Sequence, residues 1–314
     1  MRLLLFNPET EYALASGASF YTPPKQVEKL RKNLELLPEA WAEAGDLILV
    51  DDAKDLVSKF TLVEWGMLRD IFEGNRGIKI EPWGWNHALL RRFTDAGVPA
   101  ECLPSKKTID LIRKLAHRRI TISLNLLWND YVDAGNKVDL PVELKTEAEC
   151  MEFYSAHKRC WMKAPWSSSG RGVINTAADM DEELVRQWCH GIIRRQGSVM
   201  GETGAFRLAD FASEWKIKDQ EAEYIGLSSF ETSNRGKYIS NFVKSQSQIK
   251  KEFNAISAVN LEYAIVLQKK IIENVFRGYE GFLGVDMLVE TDGRLRPFVE
   301  VNLRRTMGML YIQE

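Results

Sequence analysis

Short apolar runs alternate with helical patterns along the first hundred residues. Residues 3–6, 46–52 and 78–85 have the continuous apolar character of strands that are buried on both faces. Apolar residues recur at helical spacing over residues 27–37, and a second helix is predicted from Asn86 to Ala96, ended by Gly97. Because strands that alternate with helices are typical of a doubly wound sheet, we predict a small parallel α/β domain over residues 1–100.

The pattern changes after residue 100, where the predicted elements carry isolated lysines. A helix is predicted to begin after Ser105 with Lys106 and Lys107 and to run to about residue 117. A strand over residues 159–165 holds Lys163, a helix follows over residues 181–195, and a short strand spans residues 198–202. Lysines in a first helical turn oppose the helix dipole, so Lys106 and Lys107 are expected either beside an anion or in solvent.

Antiparallel strands are predicted for the last hundred residues. Residues 212–217 and 222–227 alternate between apolar and polar side chains, and one long helix is predicted over residues 254–276. The chain then closes with a hairpin, whose strands at 284–290 and 297–305 flank the turn Asp292-Gly293.

This closing hairpin carries the candidate metal chemistry. Side chains alternate along a strand, so Phe298, Glu300 and Asn302 are predicted to share one face of the return strand. A turn of only two residues would pair Asp286 with Val299, and an odd-length loop or a bulge is needed to set Asp286 against Glu300. Facing carboxylates destabilise a strand pair unless a cation separates them, and Mg²⁺ prefers oxygen ligands. The alternative is an edge hairpin whose acids face water.

Residues 166–172 form a loop rich in serine and glycine between two predicted strands. Its candidate ligand-binding residues are Ser167, Ser168, Ser169, Gly170 and Gly172. Glycine allows the backbone to approach a ligand closely, and N–H and O–H groups suit phosphate oxygens. We therefore predict a lid that binds phosphate, although a flexible linker would have a similar composition.

Composition narrows the class of protein. The 314 residues are 27% charged and 45% hydrophobic with a formal net charge of −2, which gives no reason to expect nucleic acid or a membrane as a partner. The four cysteines lack Cys-x-x-Cys spacing, and no apolar run is long enough for a signal peptide or a bilayer span. A cytoplasmic protein with reduced thiols is predicted. Neither a dinucleotide fingerprint, a P-loop nor zinc-ligand spacing is present in the sequence.

Taken in chain order, these features resemble the ATP-grasp superfamily over about residues 100–310. The resemblance rests on Lys106, on Lys163 with the serine-glycine loop, on the strand at 199–202, and on an acidic ending. That ending consists of Asp286, Glu300, Asn302 and Arg304.

The resemblance implies a nucleotide site. Lys106 and Lys163 would contact the ATP phosphates, with Lys107 as a rival for the first position, and the loop from Ser167 to Gly172 would fold over the β- and γ-phosphates. Met200 to Glu202 would offer backbone groups to adenine. Either Glu202 or Glu214 would bind the ribose, and because residues 201–211 are longer than a usual hinge, that choice stays open.

The resemblance also implies a metal site and a reaction. Asp286, Glu300 and Asn302 would hold one or two Mg²⁺ ions, with Mn²⁺ as an alternative, while Arg304 and Lys163 would act on the transferring phosphoryl group. The implied fold is an α/β (α+β) ATP-grasp fold after a doubly wound domain, divided at residues 1–100, 101–205 and 206–314.

The implied activity is an ATP-dependent ligase that activates a small carboxylate as an acyl phosphate for attack by an amine. A small-molecule kinase and a nucleotide-binding protein without turnover are the alternatives. The substrates stay open, as does the oligomeric state, for which a homodimer is one option.

Overall fold

The computed structural model describes residues 1–157, 159–167, 172–176, 180–233 and 238–312. The chain divides into two compact units, Met1–Lys114 and Leu115–Glu314. The three-part division expected from the sequence stays a prediction. Within the described ranges, no helix has both the length and the apolar character needed to cross a bilayer.

The first unit is built on a parallel sheet. Its strands are β1 (Arg2–Leu5), β2 (Leu47–Val50), β3 (Thr61–Glu64) and β4 (Lys79–Pro82), in the order β3-β2-β1-β4 with every pair parallel. The helices are α1 (Thr10–Ser16), α2 (Lys25–Asn33), α3 (Leu68–Gly74), α4 (His87–Asp95) and α5 (Lys106–Leu115), which ends at the unit boundary. The predicted parallel sheet is confirmed, and Asn86 caps α4 by accepting a hydrogen bond from the Leu89 amide.

The second unit begins with α6 (Ile120–Tyr131) and a four-stranded antiparallel sheet. That sheet has the order β5-β8-β6-β7 and contains β5 (Val142–Leu144), β6 (Cys160–Lys163), β7 (Val173–Thr176) and β8 (Val199–Thr203). Helices α7 (Glu147–Ala156) and α8 (Glu182–Gln196) pack together and share a buried apolar core with the sheet. The predicted strands and helix of this segment are therefore found within a few residues of their expected bounds.

A five-stranded antiparallel sheet completes the second unit. Its order is β11-β10-β9-β12-β13, with β9 (Arg207–Lys218), β10 (Glu221–Thr232), β11 (Tyr238–Asn241), β12 (Gly281–Glu290) and β13 (Leu295–Asn302). Trp215 and Phe211 are buried on β9, and Phe211 packs edge-on against Phe253. This sheet carries the predicted metal ligands Asp286, Glu300 and Asn302.

The long helix predicted over residues 254–276 is wrong. The structure has two helices, α9 (Gln246–Ile256) and α10 (Leu261–Val275), because Asn260 caps α10 by accepting hydrogen bonds from the amides of Glu262 and Tyr263. The Ala258 amide in the break donates to the Gly293 carbonyl at 2.8 Å. The apolar residues keep helical spacing through the break, so the sequence pattern does not reveal it.

Candidate active site

The register of the β12–β13 hairpin sets Asp286 directly opposite Glu300, and Gly284 opposite Asn302. The Glu290 amide donates to the Arg294 carbonyl, so the loop encloses three residues, of which Gly293 has a φ of 86°. The register then shifts between Asp286 and Leu288. The predicted pairing requires an odd-length loop or a bulge, and both are present.

The shift lies around Pro297, where the ladder is interrupted and buried side chains bind the backbone. The Gln268 amide group donates to the Pro297 carbonyl at 2.8 Å, and the Asn125 amide group donates to the Phe298 carbonyl at 3.0 Å. Proline lacks an amide donor and is tolerated within sheets at such irregularities. Phe298 packs edge-on against Trp128 of α6 and lines neither cavity described below. Its predicted place on the face of Glu300 is therefore wrong.

The carboxylates of Asp286 and Glu300 face each other across this strand pair, so their negative charges repel. Burial, Glu300 and Glu214 together raise the pKa of Asp286 well above its usual range, and Arg304 opposes that rise. A divalent cation would relieve the repulsion, and two carboxylates with the Asn302 amide oxygen form a suitable set of hard ligands. Among the residues described, no three His, Cys, Asp or Glu side chains form a metal cluster, so the candidate set depends on the amide.

Arg304 lies beside this acidic set, which consists of Asp286, Glu300 and Asn302. Its Nη2 donates to Asn302 Oδ1 at 3.1 Å, and its Nη1 donates to the Arg305 carbonyl at 2.8 Å. Both contacts are to residues one or two positions away in the chain, and they hold the guanidinium group next to a candidate metal ligand. This position is compatible with its predicted role toward a transferring phosphoryl group.

Lys163 and Glu202 form an ion pair in the four-stranded sheet. Lys163 Nζ lies 2.6 Å from Glu202 Oε2, and the side chains are 9% and 11% exposed, which makes this a nearly buried pair. Trp161 pairs with Glu202 across β6 and β8, so the lysine, two residues along β6, reaches the glutamate diagonally. The two predicted nucleotide contacts are therefore brought together.

The base of the serine-glycine loop is tightly closed. The Ala164 amide donates to the Gly172 carbonyl at 2.7 Å, and Ser167 is buried. A side chain at Gly172 would press on Ser167 Cβ and lie 2.9 Å from Ala164 Cβ. Glycine is therefore required sterically at residue 172. Ser168, Ser169 and Gly170 lie outside the described residues.

Two further predicted contacts, Met200 and Glu214, are placed less favourably. Met200 is fully buried, and β8 pairs there with β5 on one side and β6 on the other, which argues against free backbone groups for adenine at this residue. Glu214 is fully buried in the other sheet, apart from the strand of Glu202. Lys106 belongs to the first unit, and its role stays a prediction.

Glu214 is held by two hydroxyl groups. Thr306 Oγ1 donates to its Oε1 at 2.8 Å and Ser228 Oγ at 3.3 Å, whereas its Oε2 has no hydrogen-bond partner among the described residues. Burial raises the pKa of Glu214 to about 7, and these hydrogen bonds and Arg304 partly oppose that rise. At neutral pH this carboxyl group is therefore poised between its neutral and charged forms.

Two cavities of the second unit meet at the acidic set. Asp286, Glu300, Phe230 and Thr232 line both of them. One cavity has apolar and charged walls that include Trp161, Lys163, Val173, Glu202, Arg207, Asp210, Leu288 and Arg296. The other is lined by polar groups that include Glu214, Ser228, Tyr238, Asn241, Asn302, Arg304 and Thr306. The arrangement can hold one ligand in each cavity, with the acidic set between them.

Sequence reasoning missed several of these residues. Arg207, Asp210 and Arg296 line the first cavity. Arg207 and Asp210 fall in the segment that the sequence assigned to a long hinge, and Arg296 comes just before the predicted return strand, so no local pattern marked them as ligand-binding. Arg118 was also missed, and its Nη2 lies 2.5 Å from Glu300 Oε1. The basic run His117-Arg118-Arg119 after a predicted helix was the one available hint.

No family model matches the chain, and no curated protein matches its sequence. Solved structures do match its fold. A biotin carboxylase complex with β,γ-ATP from Campylobacter jejuni has a TM-score of 0.58 at 12% identity, over 98% of this chain and 66% of that chain. N5-carboxyaminoimidazole synthetase from Staphylococcus aureus, complexed with ADP, has a TM-score of 0.53 at 12% identity, over 98% and 71%.

A third match is the biotin carboxylase domain of the 2-oxoglutarate carboxylase from Hydrogenobacter thermophilus, in complex with MgADP, ADP and bicarbonate. Its TM-score is 0.55 at 12% identity, over 98% of this chain and 64% of that chain. The chain thus spans less than two thirds of the length of both carboxylase chains. At this identity the likeness concerns the fold.

Proposed function

We propose that this chain, which has the ATP-grasp fold, is an ATP- and Mg²⁺-dependent ligase that activates a carboxylate as an acyl phosphate for attack by an amine. The observation that carries the proposal is the position of Asp286 and Glu300. They face each other where the cavity that contains Lys163 meets the cavity that contains Arg304. A phosphoryl group that passes from one ligand to another requires such a centre.

The cavity with Lys163 is the proposed nucleotide site. Trp161, Val173 and Leu288 offer apolar surface for a base, and Lys163 lies at the same cavity with a cationic group for phosphate. Solved structures with this fold contain ADP or MgADP, which supports the same assignment. Glu202 is the proposed ribose contact in this cavity. Glu214 lines the polar cavity, and we do not propose it for the ribose.

Asp286, Glu300 and Asn302 are the proposed ligands of Mg²⁺. When bound, Mg²⁺ would neutralise charge on the phosphate oxygens during transfer. The high pKa that burial and Glu300 impose on Asp286 is the observation that favours a cation at this place. Arg304, beside Asn302, would steady the phosphoryl group on its way to the acceptor.

The polar cavity is the proposed acceptor site. A carboxylate bound there would attack the γ-phosphate, which releases ADP and leaves an acyl phosphate, and an amine would then displace inorganic phosphate to form an amide. The chain's own residues need only position the reactants and balance their charge. Arg304 supplies the cationic group for the carboxylate in this cavity.

A screen for ADP release over pools of carboxylates and amines, with hydroxylamine as a trap, tests the proposal. We expect ADP release that needs both Mg²⁺ and a carboxylate, together with formation of a hydroxamate. Release of ADP with a stable phosphorylated product and no hydroxamate would identify a small-molecule kinase instead. Stabilisation by Mg–ATP without any ADP release would identify a binding protein without turnover.

Asp286→Asn tests the metal assignment separately. The variant should lose the rise in melting temperature on addition of Mg–ADP, while it melts no lower than wild type without ligand, because the repulsion from Glu300 is removed. Glu223→Gln, an exposed substitution on β10, is the matched control and should respond like wild type. An undiminished Mg–ADP response in Asp286→Asn would refute the assignment.

A further inference from the structure

Arg118 is a buried cation in the short segment between α5 and α6. It is 5% exposed, and its backbone amide donates to the Pro165 carbonyl at 3.0 Å. Its own carbonyl accepts hydrogen bonds from the amide and the hydroxyl of Thr121 in the first turn of α6. The residue is therefore fixed on both sides by backbone contacts, and only its side chain can reach further.

The guanidinium group of Arg118 joins two parts of the proposed active site. Nη2 lies 2.5 Å from Oε1 of Glu300, which is a proposed metal ligand. Nη1 donates to the Ala164 carbonyl at 3.1 Å and to Ser167 Oγ at 3.0 Å, at the base of the serine-glycine loop. One planar group thus holds the acidic centre and the start of the loop at the same time.

The chemistry of arginine explains why this link requires that residue type. Its fork of donors is planar and always charged, so it can bind a carboxylate on one side and neutral oxygens on the other in one fixed geometry. Lysine would retain the charge beside Glu300 but could not satisfy the three acceptors in the same arrangement. The contact to Glu300 uses Oε1, which leaves Oε2 for a second cation.

We propose that Arg118 is a positioning residue that couples the base of the serine-glycine loop, at Ala164 and Ser167, to the proposed metal ligand Glu300. The coupling rests on the proposed function, because it concerns how Mg–nucleotide is held. Arg118 orients the carboxylate of Glu300 for the metal and holds Ala164 and Ser167. Binding of Mg–nucleotide and ordering of the loop base are therefore linked. Either event favours the other, as linkage requires of two sites that share one element.

The experiment compares Arg118→Lys and Arg118→Met with wild type, and uses Arg119→Lys as the matched control. Arg119 is the next residue, 46% exposed, and pairs only distantly with Glu143 at 3.7 Å. The dissociation constant of Mg–ADP is measured by calorimetry. Hydrogen exchange is followed for the peptide that spans residues 164–173, with and without Mg–ADP.

We expect wild type and Arg119→Lys to bind Mg–ADP and to exchange more slowly in this peptide when it is bound. Arg118→Lys should bind about tenfold or more weakly, the range found when partners of metal ligands are removed, and should lose most of the slowing. Ser167→Ala, which removes one acceptor and leaves Glu300 paired, should retain the affinity better than Arg118→Lys while it weakens the slowing.

Three outcomes decide the matter. Wild-type affinity and wild-type slowing in Arg118→Lys would overturn the coupling and leave the nucleotide site intact. Weaker binding with unchanged slowing would also overturn it, because Arg118 would then act on Glu300 alone. An absence of any Mg–ADP response in wild type would overturn the proposed function and this inference with it. Should Arg118→Met fail to fold, Arg118→Lys and Ser167→Ala still decide between these outcomes.

Discussion

Replacement of Glu214 by glutamine should stabilise the protein at neutral and alkaline pH. The side chain is fully buried, and burial raises its pKa to about 7 from a usual value of 4.5. Between these two values the folded state binds more protons than the unfolded chain. Stability therefore falls as pH rises through this window, and the whole penalty is present above pH 7.

The size of the penalty follows from the two pKa values. One pKa unit corresponds to about 1.4 kcal/mol, so a rise from 4.5 to about 7 amounts to roughly 3 kcal/mol in the free energy of unfolding. Glutamine is neutral at every pH, and its Oε1 can still accept from Thr306 and Ser228. Its amide group would occupy the place of Oε2, which has no partner among the described residues. An unpaired amide would reduce the gain, so this figure is an upper limit.

Urea unfolding from pH 4.5 to pH 8.5 measures this effect. The difference in unfolding free energy between Glu214→Gln and wild type should be smallest at pH 4.5 and grow until about pH 8. The control is Glu223→Gln, which changes an exposed carboxylate on β10 and should track wild type. Parallel curves for Glu214→Gln and wild type would refute the reasoning, because the buried carboxyl group would then titrate alike in both states.

Two further sets of substitutions test the loop base and the lysine pair. Gly172→Ala should lower the free energy of unfolding by about 1–3 kcal/mol, because its Cβ would meet Ser167. The control is Gly191→Ala within α8, whose Cβ would meet only a flexible side chain at 3.6 Å and which should change the free energy of unfolding by less than about 1 kcal/mol. Thermal unfolding measures both. Lys163→Met should cost about 3–5 kcal/mol because Glu202 would remain nearly buried without its partner, and adding Glu202→Gln should recover most of that loss in a double-mutant cycle. Additive losses in that cycle would contradict the pairing.

The sequence predicted those helices and strands that are determined by neighbouring residues in the chain. Apolar runs predicted three of the four parallel strands, and Asn86 predicted the start of α4. The missed strand β3 is partly exposed and has polar residues at both ends, so it has no continuous apolar run. Asn260 is a capping residue within an uninterrupted helical pattern, and pattern alone does not reveal that a chain breaks there. The contact of Arg118 with Glu300 joins residues far apart in the chain, and no local pattern encodes it.

The pairing of Asp286 with Glu300 depends on backbone features that have no proposed role in ligand binding. The three-residue loop ended by Gly293 sets the parity of the strands, and the irregularity at Pro297 then brings Glu300 opposite Asp286. Gln268 binds the Pro297 carbonyl, which would otherwise be a buried acceptor in a broken ladder. The hairpin is thus held by packing and hydrogen bonds in a register that its own charges oppose. A cation that binds this hairpin would release that repulsion, which is why stability without ligand and affinity for Mg–nucleotide should change in opposite directions when Asp286 is neutralised.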